Sequence, residues 1–324
     1  MTEHFRYSII MPLYNKADWL LRSLNSLLAQ TYSNFEMIIV DDCSTDDSLQ
    51  IVRNFAAQHP NLDIKLINSA INQGPGACRN RGMKESRGTH LLFLDADDTF
   101  HPELLSRLNE AFTQKNTASD QAVRCVIFGY EKQPDGVAWL FDDTPDWLHP
   151  VKDDLFLLQP VMACFDTRRF LVRTSNVAVS ASAVKGLNFD TSRATFEGIS
   201  FWFQVLQRCS ENHWSVVYLR QSLHTVFTIS DSEIHKPLPL SQSKLPQVFR
   251  RYALSKNRCE RAFCQRICTT WFWHEFSRLS GGISKVLFFV KFAYVLPFLS
   301  RQYQKPIATA IEVKNPLTSS QSES

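Results

Sequence analysis

The 324-residue sequence predicts an α/β fold with a parallel sheet, followed by a helical C-terminal extension. Three observations predict it. Over the first hundred residues, short apolar runs alternate with amphipathic helical stretches. Acidic clusters fall just past the apolar runs, where open parallel sheets bind their ligands. The composition then changes: residues 241–310 carry twelve Lys and Arg against only two acids, Glu260 and Glu275. A basic C-terminal third on a mildly acidic body points to an anionic surface or ligand at that end.

Each element has its own signal. Residues 7–13 are an apolar run fit for a buried strand. Leu20, Leu21, Leu24, Leu27 and Leu28 then share one helical face, and Asn15 with Asp18 offers the start of that helix. Residues 35–40 read as the second strand, ending at Asp41 and Asp42. A second helix is expected from Ser44 or Thr45, with Asp46 and Asp47 in its first turn and Leu49, Val52 and Phe55 buried. Residues 63–67 give a third strand. Gly74, Pro75 and Gly76 open a helix that runs to about Glu85, and residues 90–94 form a fourth strand running into Asp95. Residues 123–128 are a further apolar strand, and residues 134–150 read as a loop rich in Asp and Pro that embeds Trp139 and Trp147. Residues 199–208 are helical and residues 214–219 a strand. The division expected is a nucleotide-binding domain over 1–230, a basic aromatic helical extension over 231–317, and a polar, disordered tail over 318–324.

The eight cysteines are scattered, with no CxxC pair and no His at zinc-finger spacing. Cys259, Cys264 and Cys268 follow helical spacing and are expected to pack. Glu3, His4 and Arg6 precede only a short apolar run, so no signal peptide is expected; the thiols are read as reduced and the location as cytoplasmic.

The sharpest chemical signal is Leu91-Leu92-Phe93-Leu94-Asp95-Ala96-Asp97-Asp98-Thr99. An apolar strand delivers three carboxylates within four residues. Carboxylates packed so closely repel each other, and a dication makes the arrangement favourable. Mg²⁺ or Mn²⁺ prefers oxygen ligands and leaves room for phosphate oxygens. Helix capping needs only one Asp. Two enzyme classes share the pattern: phosphatases with an Asp nucleophile, in which Asp95 would attack phosphorus and Asp97 act as acid/base, and metal-dependent sugar transferases. The local pattern does not separate them.

The context does. Residues 8–30, SIIMPLYNKADWLLRSLNSLLAQ, continue into TYSNFEMIIVDDCSTDDS; Asn72-Gln73-Gly74-Pro75-Gly76-Ala77-Cys78-Arg79-Asn80-Arg81-Gly82, Ser86-Arg87-Gly88 and the aspartate-rich strand follow in order. This series resembles the opening of family 2 glycosyltransferases, over roughly the first hundred residues. The resemblance implies a Rossmann-like nucleotide-binding domain of GT-A type, with a mixed, mainly parallel sheet, and a nucleotide-diphosphate sugar donor. It places Pro12, Tyr14, Asn15, Asp41 and Asp42 around the base, where a carboxylate can accept a hydrogen bond from a ring N–H. Gly76 and Arg79 would lie near the ribose and diphosphate. Asp95, Ala96 and Asp97 would bracket ribose and metal, with Asp97 or Asp98 coordinating directly and His224 completing the metal shell or touching phosphate. The family's base comes from a Glu-Asp pair at a helix start; here Glu197 is present and the Asp is Gly198. Either Glu197 reaches the acceptor, or another acid such as Asp190 does, or the chain binds a nucleotide sugar with impaired turnover. Ser230-Asp231-Ser232 resembles the region that closes over the diphosphate. The family's processive Q-x-x-R-W motif is absent, which implies one sugar added per encounter.

The acceptor expected is a glycan or lipid-linked glycan of the cell envelope or surface. Residues 283–299 are mostly apolar but short, and interrupted by Lys285, Lys291 and Pro297, so a spanning helix is not expected. With Trp271, Phe272, Trp273 and the surrounding basic residues, this stretch either lies peripherally at the inner face of a membrane or docks on the catalytic domain with its lysines reaching water. No nucleic-acid-binding motif accompanies the basic residues, so a nucleic-acid partner is not expected.

Overall fold

The computed structural model describes residues 4–114, 122–140, 145–162, 172–192, 197–228 and 240–299. The N-terminal half alternates β1 (Tyr7–Leu13), α1 (Ala17–Leu28), β2 (Phe35–Asp41), α2 (Ser48–Gln58), β3 (Ile64–Asn68), α3 (Pro75–Glu85) and β4 (His90–Phe93). A short β5 (Thr99–Phe100) and α4 (Leu104–Thr113) precede the long β6 (Val123–Gln133). Then come β7 (Val137–Trp139), β8 (Leu148–Lys152), β9 (Leu155–Leu158), β10 (Val177–Ser180), α5 (Ala181–Val184), α6 (Glu197–Glu211) and β11 (Ser215–Phe227). Three further helices follow: α7 (Gln247–Tyr252), α8 (Arg258–Arg278) and α9 (Gly282–Lys291).

Among the described residues the strands form one sheet in the order β3-β2-β1-β4-β10-β6-β11-β9-β8. The first four strands pair in parallel, β10 runs antiparallel between β4 and β6, and β6 and β11 are parallel again. The sheet is therefore mixed, as expected. Alternation along β1 sends Ile9 and Met11 to one face, against Leu20, Val52 and Leu104, and Ile10 to the other, against Cys78 and Phe201.

The helix-facing stripe of α1 is narrower than the leucine spacing predicts. Leu20, Leu24 and Leu27 are buried, but Leu21 and Leu28 are exposed; buried Ser23 completes the stripe instead, for a reason given below. The second helix starts at Ser48, later than expected, because the preceding side chains bind the neighbouring loop. Residues 134–150 are not wholly loop: β7 pairs with β6, and β8 pairs with β9 at the sheet edge. Pro150 lies in β8, and an edge strand tolerates the missing N–H that a central strand would not. Ser230-Asp231-Ser232 and the 318–324 tail lie outside the described residues.

The basic aromatic C-terminal stretch docks on the body. Phe263 stacks on Phe203 with centroids 3.8 Å apart, and Trp271, Phe272 and Phe288 are fully buried in the core that also holds Phe93 and Trp202. Each such ring contributes about 1.5–3 kcal/mol by leaving water. Cys264 and Cys268 are buried free thiols one helical turn apart, as their spacing predicts for packing. The far side of α9 is different: Ile283, Val286, Leu287 and Val290 form an exposed apolar stripe. Among the described residues, no helix is long and apolar enough to cross a membrane.

Candidate active site

The parallel strands β1, β2 and β4 end on one edge, and that edge gathers most of the residues singled out above. Past β1, Asn15 adopts a left-handed conformation (φ 49°), which an Asn tolerates better than most residues. Its Oδ1 accepts from the Thr45 N–H at 2.8 Å, and its own N–H donates to Ser44 Oγ at 3.1 Å. Ser48 Oγ accepts from the Lys16 N–H, and Asp46 accepts from the N–H groups of Ala17 and Ser48. These bonds stitch the loops after β1 and β2 together, which is why Ser44 to Asp47 do not continue as helix. Pro12 pairs with Val40 in the sheet, and Tyr14 is exposed beside this stitched edge.

Asp41 and Asp42 lie buried at the tip of β2. Asp41 accepts from the Ser44 N–H at 3.3 Å. Asp42 receives the N–H groups of Gln73 and Gly74, at 2.8 and 2.7 Å, one on each carboxylate oxygen. Asp42 thus fixes the entry of α3, whose Gly74 has φ 89°. Gly76 permits a close approach, but of the chain to itself: a Cβ there would sit 2.3 Å from the Asp190 carbonyl oxygen. Ser86-Arg87-Gly88 lies at the opposite end of the strands, where buried Glu36 accepts from the Arg87 N–H and Nε and from Ser8 Oγ. That part of the resemblance is structural.

The centre of the edge is built on buried Arg79. Its guanidinium donates to Asp95 at 2.7 Å and to Glu197, the first residue of α6, at 3.1 Å. Two carboxylates 102 positions apart are thereby held by one cation. Burial would lower the Arg79 pKa, but the charges of Asp95 and Glu197 outweigh it and raise it. Burial would raise the Asp95 carboxyl; Arg79, by charge and hydrogen bond, overcomes this and holds it below its ordinary value. Glu197 goes the other way. Burial raises it, Arg79 opposes, and Asp95 adds to the rise.

Asp97 is raised too, by burial first and by the Asp95 charge second, although Lys16 Nζ lies 2.5 Å from its carboxylate. Lys16 was not a candidate from the sequence; its only signal was its place next to Asn15 at a strand tip. The turn carrying these acids is clamped by α1: buried Ser23 donates to the carbonyls of Ala96 and Asp98, and Arg22 to that of Asp97. This explains Ser23 in an otherwise leucine stripe. Asp98 accepts from the Phe227 N–H at 3.1 Å and faces His224 Nε2 at 3.2 Å. His224 is buried with its Nδ1 unpartnered.

The donor set fits a hard dication. Asp95, Asp97 and Asp98 crowd three carboxylates into one turn, met by Lys16 on Asp97 and by Arg79, which Asp95 shares with Glu197, and the Asp98–His224 pair would offer one oxygen and one nitrogen ligand. Among the described residues, no three His, Cys, Asp or Glu side chains enclose a cation by themselves, so ligand oxygens would supply the rest of the shell.

Gly198 follows Glu197. A Cβ there would meet Thr174 Oγ1 at 2.2 Å, so the space a second acid would need is filled. Asp190, the other candidate base, has one carboxylate oxygen on the Ser192 N–H and on Gln247, and the other on Ser192 Oγ.

Comparison with known proteins bears on family and fold. A family model described as glycosyl transferase family 2 matches residues 8–175, just over half of the chain. An uncharacterized glycosyltransferase of Nostoc is 39% identical over 130 residues, 40% of this chain and 40% of that protein's length. The crystal structure of Staphylococcus aureus TarS with UDP-GlcNAc superposes with a TM-score of 0.56 over 90% of this chain and 89% of that one, at 15% identity. A Pyrobaculum calidifontis mannosyltransferase, in complex with GDP-Man and Mn²⁺, gives a TM-score of 0.54 over 92% of this chain and 83% of that one, at 16% identity. At such identities the superpositions speak for a shared GT-A fold.

Proposed function

Given that the chain belongs to glycosyl transferase family 2, we propose that it transfers a sugar, with inversion, from a nucleotide diphosphate to a glycan or lipid-linked acceptor. The observation that carries this reading is the Arg79 bridge, which brings Asp95 of the nucleotide edge and Glu197 of α6 to one place. The aspartate-nucleophile phosphatase is set aside by the family.

Pro12, Tyr14, Asn15, Asp41 and Asp42 would frame the base. Asp95 and Ala96 would meet the ribose. Asp97, Asp98 and His224 would hold Mg²⁺ or Mn²⁺, which neutralises the diphosphate as it leaves. The Mn²⁺ in the mannosyltransferase structure supports that choice. Glu197 takes the proton of the acceptor hydroxyl while that oxygen bonds to the anomeric carbon, and the bond to the diphosphate breaks with its electron pair. Its raised carboxyl makes it a stronger base than an exposed Glu. Arg79 keeps it oriented and sufficiently ionised. The apolar stripe of α9, flanked by Lys285 and Lys291, supports peripheral contact with a membrane on the side of a lipid-linked acceptor.

Gly198 favours one rival, a nucleotide-sugar-binding protein with impaired turnover. A panel of nucleotide sugars, each with and without Mn²⁺, is screened by thermal melting, and donor hydrolysis is then followed in wild type and Glu197→Gln. A true donor raises the melting temperature only with metal, and hydrolysis falls in Glu197→Gln. Donor binding with equal, negligible hydrolysis in both proteins would establish the rival.

A further inference from the structure

On the other side of α3 from Arg79 lies a cleft of about 690 Å³ that the scheme above does not use. Helical spacing brings Ala77, Asn80, Arg81 and Lys84 to one face of α3. The opposing wall is Asn188, Thr191 and Ser192, from the chain that leads towards Glu197, together with Lys244. Asn80 ties the two walls: its side chain donates to the Phe189 carbonyl at 2.9 Å and accepts from the Phe189 N–H at 2.7 Å.

Among the described residues, three cations line this cleft and no acid does. Two are held by neutral partners. Arg81 donates to the Asn68 carbonyl at 3.0 Å, and Lys244 to the Ser192 carbonyl at 2.9 Å. The acids at the rim are occupied elsewhere, Asp190 by Ser192 and Gln247, Glu85 by Lys65 at 2.5 Å. Asp190 keeps its charge under those neutral donors and offsets one of the three cations, so net positive charge is left for a ligand, and Arg81 and Lys244 are oriented before one arrives. Guanidinium and ammonium groups with hydroxyl and amide donors such as Thr191 and Asn188 suit phosphate oxygens.

We propose that this cleft binds a phosphate-bearing segment of the acceptor glycan. The assignment of acceptor rather than donor rests on the proposed transferase reading: the carboxylates that would face the donor lie across α3, while the cleft adjoins the chain leading to Glu197.

The test uses the full chain and a fluorescent poly(glycerol phosphate) oligomer, with a neutral dextran oligomer of equal length and phosphatidylglycerol vesicles as comparison probes. The variants are Lys84→Gln/Lys244→Gln and the triple change that adds Arg81→Gln. Wild type should bind the phosphate oligomer with an affinity that falls with salt, and the double variant should bind it at least tenfold more weakly. Nucleotide-sugar melting shifts should be the same in all three proteins. Equal binding by wild type and variants, equal binding of dextran, or binding to the vesicles alone overturns the proposal. If the melting shifts are absent but the phosphate oligomer still discriminates, the donor reading fails and the cleft stands. If the shifts are present without discrimination, the cleft alone fails.

Discussion

Replacing Gly198 by Ala isolates the contact that distinguishes this chain from the Glu-Asp pattern it resembles. The added Cβ would lie 2.2 Å from Thr174 Oγ1, while the next heavy atom, Thr174 Cβ, is at an ordinary 3.6 Å. Overpacking of this kind costs about 1–3 kcal/mol. Gly to Ala inside a helix returns roughly 0.5–1 kcal/mol. The net expectation is a loss of about 0–2.5 kcal/mol. Thr174→Ala removes Oγ1 and keeps Cβ, so in that background the clash disappears and the sign reverses: Gly198→Ala should then stabilise by about 0.5–1 kcal/mol. Urea unfolding of the four proteins gives the coupling, which equals the clash cost and is expected at about 1–3 kcal/mol. An equal effect of Gly198→Ala in both backgrounds would refute the argument, and with it the claim that Thr174 fills the second acid's place.

Arg79→Met leaves Asp95 and Glu197 without their cation and should cost about 3 kcal/mol, near the low end for a broken buried pair because Asp95 keeps 39% of its side chain open to solvent. Because the folded Asp95 carboxyl is depressed, its stabilisation is present above its unfolded pKa of about 3.9 and lost as pH falls towards the folded value. Melting curves of Arg79→Met between pH 6 and 3 should lose that part of the acid dependence. Glu197→Gln should lower kcat by roughly 10²–10⁴ with donor affinity kept. In wild type the base must be ionised and its carboxyl is raised, so kcat should fall as pH drops through a value above the ordinary Glu range near ~4.3; an acid limb below that value counts against Glu197 as the base.

Much of this edge was legible because strands end where their apolar runs end. Asp41, Asp42 and Asp95 each follow such a run, and parallel pairing of β1, β2 and β4 brings the three tips together. What the sequence hid depends on long-range contact. Lys16 meets Asp97 across 81 positions, and Gly198 answers to Thr174 in another element. Leu21 looked buried by spacing but faces water, because the clamp on the Asp95–Asp98 turn draws Ser23 inward. Gly76 and Ser86-Arg87-Gly88 had the right pattern and a different physical use: one lets Asp190 approach, the other closes the Glu36 network at the far end of the sheet. The short β7 and β8 were obscured by Pro and Asp residues that an edge tolerates.

The central claim is that the aspartate turn after β4 holds a dication against a nucleotide diphosphate. Equilibrium binding of the best-stabilising nucleotide sugar, titrated with and without Mn²⁺ in wild type and Asp97→Ala, tests it most directly. Metal should tighten binding to wild type by tenfold or more and leave Asp97→Ala unchanged. An undiminished metal effect in a folded Asp97→Ala protein would contradict the account.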